Sequence, residues 1–152
     1  MRRVTTWITA AALGLAAAVA APPAALASPT KPKIDWVRVD VPEGLDAGRL
    51  GKLLREALKQ ASKHANFGKT PRTVALSARV TEFTTEVHGD VLQVSCTVMG
   101  RVAGGAGARS RISYGGSPES RGELEKQVLT MVANGLVARL AQIVRTQAPK
   151  VR

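Results

Sequence analysis

The sequence predicts an α+β two-layer sandwich: a mostly antiparallel four-stranded sheet with two helices on one face. Three observations point there. Four stretches alternate apolar and polar residues with period two, the pattern of half-buried strands. Two longer stretches repeat apolar residues at helical spacing. These stretches follow one another in the order β-α-β-β-β-α, with no internal repeat.

The first strand is "IDWVRVDV", with Val37, Val39 and Val41 expected inward and Trp36, Arg38 and Asp40 outward. "PEG" breaks it. Asp46 then has the character of an N-cap, and Leu45 and Leu50 have the spacing of a hydrophobic staple. Leu50, Leu53, Leu54, Ala57, Leu58, Ala61 and Ala65 form one apolar stripe, which predicts a helix from Asp46 to about Asn66 stopped by Gly68 and Pro71. In "RTVALSARVTEFTTEV", Val74, Leu76, Ala78 and Val80 share a face. The apolar phase then shifts to Phe83 and Val87, which predicts a bulge near Thr81-Glu82.

"HGD" is a turn signal, so the second and third strands should form a hairpin. In "VLQVSCTVMGRV", Leu92, Val94, Cys96, Val98 and Val102 fall on one side. Gln93, Ser95, Thr97 and Arg101 fall on the other, with Met99 the one apolar residue among them. Cys96, the only cysteine, is therefore expected in the core, where a thiol acts as a small hydrophobe. "AGGAGA" joins this strand to "RSRISY"; because it leads into a strand rather than a helix, it reads as a hairpin loop and not a phosphate cradle. Gly115-Gly116 closes that strand, and Ser117-Pro118 opens the last helix with a capping residue and a first-turn proline.

The N-terminus places this domain in a compartment. Arg2-Arg3, an apolar run from Trp7 to Ala21, and the small-x-small site Ala25-Leu26-Ala27 describe a secretory signal peptide. The run is shorter than the roughly 20 residues that span a bilayer. The expected organisation is a signal peptide at 1–27, a linker at 28–33, a single α+β domain at 34–146 and a basic tail at 147–152. Cleavage after Ala27 leaves 125 residues, with no transmembrane segment expected in the exported chain. A chain of that length buries roughly two-thirds of its unfolded surface and needs no disulfide.

The whole chain has 22 Lys and Arg against 11 Asp and Glu, for a net charge of +11. Without Arg2 and Arg3 the balance is 20 against 11, or +9. In an exported protein that excess points to an anionic envelope component or an envelope protein. Nucleic acid matches the charge but not the compartment.

Two surfaces are candidates for contact. The sheet face opposite the helices presents Trp36, Arg38, Arg79, Arg101, Arg109 and Arg111 among Ser, Thr and Gln side chains. Guanidinium groups offer planar forks suited to phosphate and carboxylate, although such residues also make an ordinary solvated sheet surface. The second candidate is the last helix, whose Leu, Val, Met and Ile residues cover more than half its circumference. That surplus either packs on the first helix or contacts a partner, and Arg139 falls inside the arc.

Catalysis is not expected. His64, His88 and Cys96 do not have zinc-ligand spacing, and no nucleophile motif gathers Ser, His and Asp. Glu82 and Glu86 share a strand face, as solvated carboxylates commonly do. No metal and no cofactor are implied.

The stretches "LGKLLREALKQA", "VALSARVTEF" and "VLQVSCTVMGRV", followed by a long C-terminal helix, give an order of elements that resembles small exported envelope-assembly domains. These are the lipopolysaccharide-assembly lipoprotein, the penicillin-binding-protein activator lipoproteins and the N-terminal domain of the Tol-system propeller protein. The resemblance covers nearly all of the chain after residue 27 and implies an envelope role. This chain departs from the lipoproteins in having no cysteine at the cleavage site, and no functional residue carries across. The expected function is that of an exported, non-enzymatic binding domain using the basic sheet face. The alternative is an adaptor or assembly subunit docking through the apolar arc of the last helix.

Overall fold

Two adjacent hairpins form most of the sheet. β2 (Val74–His88) pairs antiparallel with β3 (Val91–Val102), which pairs antiparallel with β4 (Gly107–Gly116). β1 (Ile34–Asp40) joins parallel to β2 after the crossover helix α1 (Ala47–His64), so the sheet order is β1-β2-β3-β4. A short 3₁₀ turn, Pro118–Ser120, leads into the long helix α2 (Arg121–Gln147). The computed structural model describes residues 31–147 except Leu45, Thr70 and Pro71. The signal segment, the first part of the linker, the Leu45 staple, the Pro71 stop and the tail beyond Gln147 lie outside the described residues.

The architecture is the predicted α+β sandwich, with both helices on one side of a mixed sheet. Its core lies between the layers. From β3, Leu92, Val94, Cys96 and Val98 meet Val128, Val132, Leu136 and Leu140 of α2, and Leu54 and Leu58 of α1 fill the remainder. Close layer contact requires glycine at two places. A Cβ on Gly100 of β3 would stand 2.9 Å from Leu140 Cδ1, and one on Gly135 of α2 would stand 2.7 Å from Ser110 Oγ of β4. Helix and sheet backbones can therefore approach closely at both points.

Cys96 is fully buried, and burial, followed by the Glu82 charge, pushes its thiol up to about 12. It is a core residue, as the alternation of β3 predicts. The bulge expected at Thr81-Glu82 is present as a register shift between Val80 and Glu82.

The first strand corrects the sequence expectation. Trp36 is 6% exposed and belongs to the core, whereas Val37 is 66% exposed. The cause is a second bulge: Trp36 pairs with Leu76 and Arg38 with Ser77, leaving Val37 as the extra residue. The energetics favour this arrangement. Burying an indole of 150–250 Å² contributes about 4–6 kcal/mol, against about 1.5 kcal/mol forfeited by exposing a valine. Trp36 Nε1 also donates to Ser62 Oγ at 3.0 Å, and that hydroxyl donates to the Leu58 carbonyl at 2.7 Å.

Three smaller differences concern the helix ends. α1 stops at His64, before the expected Asn66, and Gly68 follows with a positive φ of 88° while its N–H donates to Asn66 Oδ1. Asp46 stands at the N-cap position without a side-chain cap bond; its carboxylate pairs with Arg49 at 2.7 Å instead. Ser117 likewise makes no side-chain cap, and its carbonyl accepts from the Ser120 N–H at the 3₁₀ turn.

The broad apolar surface of α2 is accounted for within the chain. Eleven of its residues are buried, against the sheet on one side and α1 on the other. By length and composition alone Pro118–Gln147 could cross a membrane, but here it is a core helix. Its N-terminal turn is tied to α1 through buried Glu125, which accepts from Arg49 Nη2 at 2.5 Å and from Arg121 Nε at 3.0 Å. Through that hydrogen bond Glu125 raises the Arg49 guanidinium above its already high ordinary value. Arg139 donates from Nη1 to the Arg109 carbonyl, occupying a backbone acceptor of edge strand β4.

Candidate functional site

The sheet face turned away from both helices is built row by row from the strand register. Asp40, Arg79, Met99 and Arg109 stand side by side across four strands. The next row is Arg38, Ser77, Arg101 and Gly107. On the other side lie Glu82, Thr97 and Arg111, then Thr84, Ser95 and Ser113, then Glu86, Gln93 and Gly115. With strands about 4.8 Å apart, neighbours in a row lie within reach of one ligand group.

This arrangement divides the face in two. Toward the β2–β3 turn the surface is amide and hydroxyl: Gln93 Nε2 donates to Ser113 Oγ at 2.8 Å, and the Ser95 and Ser113 hydroxyls share a 2.7 Å hydrogen bond. His88 and Glu86 pair at 3.1 Å at its margin. Toward the β3–β4 turn the surface is arginine around an exposed Met99.

Five of the six candidate residues read from the sequence share this face: Arg38, Arg79, Arg101, Arg109 and Arg111. Trp36 does not belong to it, because the β1 bulge turns its indole into the core. The arginines also differ from one another. Arg38 pairs with Asp40 at 2.7 Å, and Arg111 stands 3.9 Å from Glu82. Among the described residues, Arg79, Arg101 and Arg109 have no acidic partner within 4 Å.

Of the acidic members, Asp40 was expected outward beside Arg38, whereas Glu82 was not assigned to this surface. Glu82 reaches it because the bulge at Thr81 resets the phase of β2. Its carboxylate accepts from Thr97 Oγ1 at 3.1 Å, and Thr81 Oγ1 donates to the Thr97 carbonyl at 3.3 Å. Thr97 is thereby fully buried although it points away from the helices. The phase change at Val80 to Phe83 carried enough signal to place Glu82 here. Met99, the apolar exception in β3, marks the centre of the arginine group.

Chemically, three guanidinium groups with open donor forks around a flexible thioether suit anionic oxygen groups carried on a partly apolar body. The histidines lie elsewhere: His88 in the β2–β3 hairpin and His64 at the end of α1.

No family model matches the chain, and no curated protein is significantly similar to it. Solved structures with a similar course include a candidate lipoprotein from Caulobacter crescentus CB15, at 18% identity and a TM-score of 0.44, covering 71% of this chain and 88% of that one. A minor lipoprotein from Acinetobacter baumannii aligns at 16% identity and a TM-score of 0.36, covering 81% and 98%. The PelC dodecamer from Paraburkholderia phytofirmans aligns at 17% identity and a TM-score of 0.34, covering 74% and 85%.

Proposed function

We propose that this protein is an exported, non-enzymatic binding domain whose arginine-rich sheet face engages an anionic component of the cell envelope. Export rests on the N-terminal pattern of two arginines, an apolar run and a small-x-small site. The observation that carries the binding reading is the grouping of Arg79, Arg101 and Arg109 around Met99 on a face that neither helix covers. Exposed cations held on a rigid sheet add their fields, and an anionic surface meeting all three gains more than from one mobile side chain. The adaptor alternative has less support, since the apolar arc of α2 is spent on α1 and the sheet.

The test is co-sedimentation with phosphatidylglycerol vesicles. Binding is expected at low ionic strength and should fall steeply toward about 0.5 M salt, where the screening length shrinks to a few ångströms. Arg79→Gln with Arg101→Gln should weaken it by about tenfold or more. Absence of binding at low salt, or a double variant that binds as well as the parent, contradicts the proposal.

A further inference from the structure

A concavity lies on the helix side of β1, between the start of that strand and the C-terminal end of α1, with a volume of about 830 Å³. Its floor is apolar and fixed: Trp36 and Phe67 are core residues, with Ile34 beside them. The Trp36 indole is held there by its bond to Ser62. The rim carries Lys31, Lys59, Lys63 and Lys69, with His64 beside them, and among the described residues no carboxylate lines the cleft.

The rim is more than a helix end with its usual cations. Lys59 and Lys63 are one turn apart on α1, and Lys63 lies in the last turn, where it complements the helix dipole. Lys31 and Lys69 arrive from two other segments, so four ammonium groups converge from three parts of the chain. None of the ion pairs among the described residues involves a lysine. Like charges gathered without counter-charge repel, and a bound anion relieves that repulsion. The volume falls within the roughly 300–1,000 Å³ typical of small-ligand sites. A simple anion has no use for the aromatic floor, and a purely apolar ligand has none for the lysines.

We propose that this cleft binds a single anionic phospholipid, with its phosphate among the lysines and its glycerol and proximal acyl chain over Trp36 and Phe67. The site is separate from the arginine face, which points to the opposite side of the sheet.

The experiment follows the Trp36 indole N–H signal by NMR in the full chain carrying Trp7→Phe, which leaves Trp36 as the only tryptophan. Dihexanoylphosphatidylglycerol, dihexanoylphosphatidylcholine and inorganic phosphate are titrated in parallel. The proposal expects a saturable shift with the anionic lipid, and affinities about tenfold weaker for the other two. Lys59→Gln with Lys63→Gln should weaken the anionic lipid by about tenfold while leaving the unliganded indole signal in place. An equal response to phosphatidylcholine, an equal response to phosphate, no response to any of the three, or an unaffected double variant overturns the assignment. Because the reporter lies on the helix side of the sheet, failure here is distinguishable from failure of the arginine face.

Discussion

The two sides of β3 differ as sharply as a protein interior differs from its surface, although their residues alternate one by one. On the helix side, Leu92, Val94, Cys96 and Val98 are at most 3% exposed and held by α2 and α1. On the other side, Gln93, Met99 and Arg101 face solvent, and the polar side chains there bond mainly to one another. The inner side specifies the fold and tolerates little. Apart from Thr97, which is buried beneath the Glu82 carboxylate, the outer side is relieved of packing against the helices, so its composition is less constrained. Arginine and methionine collect there because nothing in the core depends on them.

The largest break of that contrast is Val98→Asp, which buries an unpaired charge and should leave the chain unfolded, whereas Ser95→Asp should change stability by no more than about 0.5 kcal/mol. Urea unfolding of the two side by side checks this. Trp36→Ala comes next, with an expected loss of about 3–5 kcal/mol, while Val37→Ala should be close to neutral. If those two costs were reversed, the bulge in β1 would be wrong.

The thiol gives a pH-dependent test. Its pKa rises from 9.0 to about 12 in the folded state, so the folded chain holds the proton more tightly than the unfolded one. That contribution is complete below pH 9 and disappears as pH climbs toward 12. Cys96→Val should therefore lose less stability than the parent across this alkaline window, as read by unfolding at matched pH. Unmodified Cys96 should resist thiol reagents until denaturant opens the core.

A smaller loss than that of Trp36→Ala is expected for Glu125→Gln, at about 1–2 kcal/mol by thermal or urea unfolding. The carboxylate is buried, but its partners Arg49 and Arg121 are 45% and 63% exposed and rehydrate when it is neutralised. No buried charge is stranded, which keeps the cost below that of breaking a fully enclosed pair.

The legibility of this molecule depends on how loudly each strand states its phase. In β3 every inward position is apolar and every outward one except Met99 and the terminal Val91 is polar, so both faces and the burial of Cys96 are readable from composition. In β2 the bulge is readable because the apolar phase moves visibly from Val80 to Phe83. In β1 an equivalent shift is hidden. Ile34 and Trp36 precede the bulge and Val39 and Val41 follow it, but Val37 is itself apolar and completes a false alternation with the later valines. The missing information was area, since one indole outweighs one isopropyl group.

The roles of Arg139, which stood out only as a charge inside the apolar arc, and of Glu125 were hidden for a different reason. Their partners, the Arg109 carbonyl and Arg49, lie 30 and 76 residues away, and only the folded chain brings them together. The lysine rim is non-local in the same way: Lys59 and Lys63 look like the solvated side of a helix until the chain turns after His64 and adds Lys69.

The most direct test of the arginine face is residue-resolved NMR line broadening on addition of phosphatidylglycerol nanodiscs at low salt. Broadening concentrated at Arg79, Met99, Arg101 and Arg109, and reversed by salt, is the predicted result. Broadening centred on α2, or spread evenly over the surface, would show that the guanidinium cluster is not the contact and would remove the basis for the proposed role.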